Sequence, residues 1–111
     1  MRRFVALLAL TFILVASSQA SAQNWPQRPV TFIVSQSAGA SPDVMARMIT
    51  TKLGALLGQS FVVENKPGAG NVIGAQAAAR SAPDGYTFFF ATSAALVTNP
   101  YMLKNLGYDP I

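Results

Sequence analysis

From Val30 onward, the polar and apolar positions change rhythm in a regular order. Residues 30–34, VTFIV, form a β-branched and apolar run without alternation, the pattern of a strand covered on both faces in a parallel sheet. Small and polar residues 35–40 follow. Ser41-Pro42-Asp43 then supplies a capping hydroxyl, a proline suited to a first helical turn and an acid near the positive helix end, so a helix is predicted to start there. Its apolar residues Val44, Met45, Met48, Ile49, Leu53, Leu56 and Leu57 recur at three- and four-residue steps, opposite Arg47, Thr50, Thr51 and Lys52. That periodicity predicts an apolar face turned to the core, with the methionines as packing residues and Gly58 as the stop. A second strand is predicted over 61–64, then a Pro- and Gly-rich loop over 65–70, then an alanine-rich helix over 71–80 that Gly74 lets lie close to the sheet. Asp84 and Gly85 read as turn-formers ahead of a third strand over 86–91, YTFFFA.

The predicted order is strand, helix, strand, helix, strand, and right-handed crossovers lay such strands parallel in one sheet. The fold class is therefore α/β, a βαβαβ half-lobe. In open sheets of this kind ligands sit beyond the carboxyl ends of the strands, which here carry residues 35–41, 65–71 and 92–99. All three segments are small and polar. Backbone N–H groups, hydroxyls and helix N-termini at such tips can hold an anion without a charged side chain.

Composition narrows the chemistry. Arg2 and Arg3, an apolar stretch over 4–16 broken only by Thr11, and the small residues Ala20-Ser21-Ala22 follow the order of a secretory signal peptide, with cleavage expected between Ala22 and Gln23 and function outside the cytoplasm. The apolar stretch falls short of the roughly 20 residues that span a bilayer, so no lasting anchor is expected. Beyond the leader, six scattered basic and four acidic residues leave a net charge of +2, without the clustered basic stripe of a nucleic-acid binder. Cysteine and histidine are both absent. Thiol catalysis, His-based triads, His-based zinc sites and disulfide stapling are thereby excluded, and Asp43, Glu64, Asp84 and Asp109 lie too far apart to form a local acid–base pair. No catalytic residue, cofactor or metal is expected. Gly68, Gly70 and Gly74 follow a strand and open a helix, but the third glycine falls one position late for a dinucleotide fingerprint and no acid ends the next strand.

A resemblance emerges from several motifs taken in order. They are Trp25-Pro26-x-Arg28-Pro29-Val30; Ser37-Ala38-Gly39-Ala40-x-x-Asp43-x-x-Ala46-Arg47; Glu64-Asn65-Lys66-Pro67-Gly68-Ala69-Gly70; Ala82-Pro83-Asp84-Gly85-Tyr86-Thr87; Asn99-Pro100; and Tyr108-Asp109-Pro110. Together they resemble the N-terminal part of the Bug family, periplasmic solute-binding receptors of tripartite tricarboxylate transporters. The resemblance implies the first part of a type II periplasmic binding-protein-like fold, two lobes closing on a small carboxylate that is passed to a membrane permease. It implies ligand contacts from Ser37, Ala38, Gly39 and Ala40, with Asp43 behind them, and from Thr92 and Ser93. Ala40 stands where the family carries a second glycine, and Val72 where it carries an asparagine after two glycines.

With residues 1–22 read as a leader from their own pattern, the resemblance implies that residues 23–111 are an incomplete first lobe. Two functional readings follow. One is a carboxylate-binding fragment of a receptor; the other is a truncated remnant without autonomous ligand binding.

Overall fold

The structure, a computed structural model, describes residues 24–110; the leader predicted over 1–22 lies outside them. β1 (Val30–Val34) is followed by α1 (Ser41–Leu57), β2 (Phe61–Asn65), a 3₁₀ turn (Ala69–Asn71), α2 (Val72–Ala79) and β3 (Thr87–Phe90). A π-helical turn (Ala94–Thr98) then runs into the short α3 (Asn99–Met102). The three strands form one parallel sheet in the order β2-β1-β3, with Val34 in register with both Asn65 and Phe90. β1 is central, and its Val30, Ile33 and Val34 are buried, as an unbroken apolar run requires.

The two long helices cover opposite faces. Asn65 bonds to Asp43 of α1, so the face that Val34 and Asn65 share in register belongs to α1. Ser35, one residue on and therefore turned the other way, lies against Gly74 of α2. A Cβ on Gly74 would stand 2.7 Å from Ser35 Cα and 3.0 Å from the Lys66 carbonyl oxygen, so only glycine lets α2 approach this closely. The sequence expectation of close packing at Gly74 matches that geometry.

The predicted inner face of α1 is corrected. Its buried residues are Asp43, Ala46 and Thr50, with Leu53 half-buried, whereas Val44, Met45, Met48, Ile49, Leu56 and Leu57 are exposed. Small residues at 46 and 50 bring the helix axis close to the sheet. Asp43 turns inward because its carboxylate has hydrogen-bond donors there, and Thr50 satisfies its hydroxyl on the Arg47 carbonyl at 3.1 Å. Polar partners thus override hydrophobic periodicity. The start of α1 also differs from expectation: Ala40 is the N-cap and Ser41 the first helical residue, with no side-chain cap bond. Gly58 ends the helix at φ 68°, as predicted. The segment after β3, expected as a loop over 92–99, is largely helical. Pro100 suits the first turn of α3, where its missing N–H costs nothing.

At the amino ends of the strands, several motifs join into a structural clasp. Trp25 packs near Phe61, Tyr86 and Phe88 and donates its indole N–H to the Gly85 carbonyl at 3.1 Å. Arg28 pairs with Asp84 at 2.8 Å and stacks over the Tyr86 ring. Asp84 accepts from the Tyr86 N–H, and Gly85 takes φ 79°, which makes both the turn-formers that the sequence suggested.

Candidate functional site

Because β1 and β3 are parallel neighbours, the segments that follow Val34 and Phe90 leave the same end of the sheet side by side. The segment after β2 leaves there too, tied to β1 by the Lys66 N–H on the Val34 carbonyl at 2.8 Å. All three strand-end segments predicted from the sequence therefore share one end of the molecule.

The loop after β1 is held from behind. Ser37, Ala38 and Gly39 are exposed, Ala40 is half-buried, and the turn closes with the Ala40 N–H donating to the Ser37 carbonyl at 3.1 Å. Gly39 adopts φ 86°, and a Cβ there would meet nothing within 4 Å, so the left-handed backbone rather than space calls for glycine. Ala40 sits at φ −69°, which any residue adopts, and the substitution for the family's second glycine stores no backbone strain.

Asp43 anchors this loop. Its carboxylate accepts from the Gly39 N–H at 2.8 Å, from Arg47 Nε at 3.0 Å and from Asn65 Nδ2 at 2.9 Å. Asn65 also donates to the Gln36 carbonyl at 3.0 Å and accepts from Arg47 Nη2 at 3.1 Å. The network joins the loop after β1, the first turns of α1 and the end of β2. The Arg47 hydrogen bond chiefly, then those of Gly39 and Asn65, lower the Asp43 pKa from 3.8 to about 2 against the opposing effect of burial. Both Asp43 oxygens thus face donors of the protein itself. Asn65 and Arg47 were not singled out from the sequence as site residues; an amide ending a strand beside an acid in the first turn of a helix was the available signal.

The loop after β3 contributes Thr92, half-buried, and Ser93, exposed. The Thr92 carbonyl accepts from the Leu96 N–H at 3.2 Å, and its hydroxyl lies 3.4 Å from the Ala95 N–H, a long contact that leaves the oxygen largely available. The loop after β2 is backed differently. Gly68, Ala69, Gly70 and Asn71 all have positive φ, and buried Asn99 donates to the Gly70 carbonyl at 2.7 Å. Asn99, too, was missed as a supporting residue. Ser35, at the end of β1, is buried and its hydroxyl has no hydrogen-bond partner.

Chemically, the end of the sheet is an arrangement of short loops with small side chains in front of a 17-residue helix. The N-terminus of such a helix carries partial positive charge and favours an anion. Among the described residues, no group of three or more His, Cys, Asp or Glu side chains could hold a metal ion, and no helix is long and apolar enough to cross a membrane.

Comparison with known proteins gives a consistent picture. The family model described as "Tripartite tricarboxylate transporter family receptor" matches residues 45–111. A UPF0065 protein of Bordetella bronchiseptica is 45% identical over 103 residues, covering 93% of this chain and 31% of the relative. Among solved structures, an R. palustris protein with adipate is 40% identical with a TM-score of 0.75, over 78% of this chain and 29% of that one. The periplasmic binding protein BugD is also 40% identical, with a TM-score of 0.70, over 78% of this chain and 28% of its own. The chain thus spans about 30% of the length of the relatives it matches.

Proposed function

We propose that this chain, which belongs to the tripartite tricarboxylate transporter receptor family, forms the part of a solute receptor that receives one carboxylate group of a small organic acid. The observation that carries the reading is the adjacency of β1 and β3 in one parallel sheet, with their small-residue loops leaving the same end in front of the α1 N-terminus. A carboxylate there would meet Ser37, Ala38, Gly39 and Ala40 on one side and Thr92 and Ser93 on the other. Asp43 acts behind the loop: with Gly39, Arg47 and Asn65 all donating to it, its charge is met by the protein and its task is to hold the loop. The related R. palustris protein with adipate supports a dicarboxylate as the first ligand to try.

The same reading makes the chain a binding protein, not an enzyme. Residues 1–22 direct its export to the periplasm and are removed there, residues 23–111 are the first, incomplete lobe of a two-lobe clamp, and the captured acid passes to a membrane permease. The periplasmic relative BugD and the matching receptor family support this placement.

Calorimetry on residues 23–111 tests the binding step. Adipate and other di- and tricarboxylates should give weak, saturable heats that vanish in Gly39→Val, whereas uncharged diols should give none. Absence of heat with every carboxylate, or an unchanged signal in Gly39→Val, would contradict the proposal.

A further inference from the structure

Two motifs with no part in the site so far, Asn99-Pro100 and Tyr108-Asp109-Pro110, meet at the turn after β3. The turn from Ala94 to Thr98 is wound with π spacing: the Asn99 N–H donates to the Ala94 carbonyl, five residues back, and not to that of Ala95. The next donor in that spacing would be the N–H of residue 100, which is proline and has none. Neither α nor π order therefore supplies a donor to the Ala95 carbonyl. Ala95 is fully buried, where a carbonyl without a partner is costly. The Tyr108 hydroxyl, from 13 residues further along the chain, donates to it.

We infer that Tyr108 is a positioning residue for the proposed carboxylate site: its hydroxyl locks the turn after β3 in π spacing and thereby sets how Thr92 and Ser93 are presented. The inference rests on the ligand reading given above. Ala95 carries the link, since its carbonyl takes the Tyr108 hydroxyl while its N–H lies 3.4 Å from the Thr92 hydroxyl. At the far end of the same turn the Asn99 side chain donates to the Gly70 carbonyl at 2.7 Å, so the turn also ties down the loop after β2. Without the tyrosine hydroxyl, the Asn99 N–H has the Ala95 carbonyl open to it in ordinary α order. That change would rotate Thr92 and Ser93 relative to Asn99 by roughly 100°, one residue's share of a helical turn. The tyrosine is itself held in place: Gln76 Nε2 donates to the Leu106 carbonyl at 2.9 Å, and Gly107 turns at φ 72° where a Cβ would collide with the Gln76 amide. α2 thus anchors the segment that carries Tyr108.

Tyr108→Phe keeps the ring and removes only the hydroxyl. In amide-resolved NMR of the nitrogen-15-labelled full chain without ligand, it should move the signals of Thr92, Ser93, Ala95 and Asn99 and leave those of Ser37, Gly39 and the Trp25 indole in place. Adipate should bind the variant about tenfold more weakly than wild type. Tyr86→Phe is the matched control, because it removes a hydroxyl that accepts from the Gln27 N–H at 3.0 Å at the opposite end of the sheet. It should leave both the signals over 92–99 and the adipate affinity unchanged. Thr92 and Ser93 signals that stay in place in Tyr108→Phe, or an adipate affinity equal to that of a binding wild type, overturn the inference. An equal loss of affinity in Tyr86→Phe also overturns it, since general stability is then the cause. If wild type does not bind adipate, the carboxylate reading fails, and the ligand-free signals alone decide whether Tyr108 sets the turn.

Discussion

Asp43 shows most plainly how one side chain sets local structure in this protein. Its pKa of about 2 lies below the unfolded value near 3.9, so the folded state binds its proton less readily than the unfolded chain does. The stabilisation from this group is complete above about pH 4 and is lost as the pH falls through about 2. Acid denaturation followed by circular dichroism should therefore show a step between those values that Asp43→Asn removes. Asn65→Ala leaves the Gln36 carbonyl and one Asp43 oxygen without their amide donor, and should cost about 1–3 kcal/mol in urea unfolding. Gly39→Ala places a Cβ at φ 86° and should cost about 1–2 kcal/mol although space is available. At this scale the sequence was legible where a residue type answers to one backbone need, as at Gly58 and Gly85. It was silent on Asn99, because a single amide gives no sign of which distant carbonyl it will reach, and for Asn65 it offered only the amide at a strand end, without its partners.

Elements were legible where their signal was local. The β1 bounds match the VTFIV run, Gly58 ends α1, and α2 and β3 fall within a residue of expectation. The orientation of α1 was not, because hydrophobic periodicity states which residues are apolar and not which side has polar partners waiting. Asp43, Ala46 and Thr50 face the sheet, and the stronger apolar row faces out. Two substitutions separate these alternatives. Met48→Gln should change stability by no more than about 0.5 kcal/mol, as at an exposed site, where an inward methionine would cost several times that. Ala46→Leu, at a fully buried position, should cost about 1–3 kcal/mol through overpacking against the sheet. The helical path after β3 was also missed, although Thr92-Ser93 ahead of Ala94-Ala95-Leu96 places capping residues before good helix formers. Gly74→Ala would force α2 away from Ser35 and Lys66, with a loss of similar size visible in chemical unfolding.

On the scale of the whole molecule, a parallel sheet brings together loops that are far apart in sequence, and the proposed carboxylate site rests on that collection. Residues 37–40 and 92–93 are separated by more than half of the described chain, yet the β1–β3 pairing sets them side by side. The motif order carried the family, and the strand pattern carried the sheet; the supporting network of Asp43, Arg47 and Asn65 became visible only in three dimensions. The amino end of the sheet, clasped by Trp25, Arg28 and Asp84, has the opposite character: its polar groups are engaged with one another. A carboxylate should therefore act at one end only. The most direct measurement is an amide-resolved NMR titration of nitrogen-15-labelled residues 23–111 with adipate. The account predicts saturable shifts at Ser37, Ala38, Gly39, Thr92 and Ser93 with Trp25, Gly85 and Tyr86 unmoved; shifts confined to the Trp25 end, or none at the loops after β1 and β3, would contradict it.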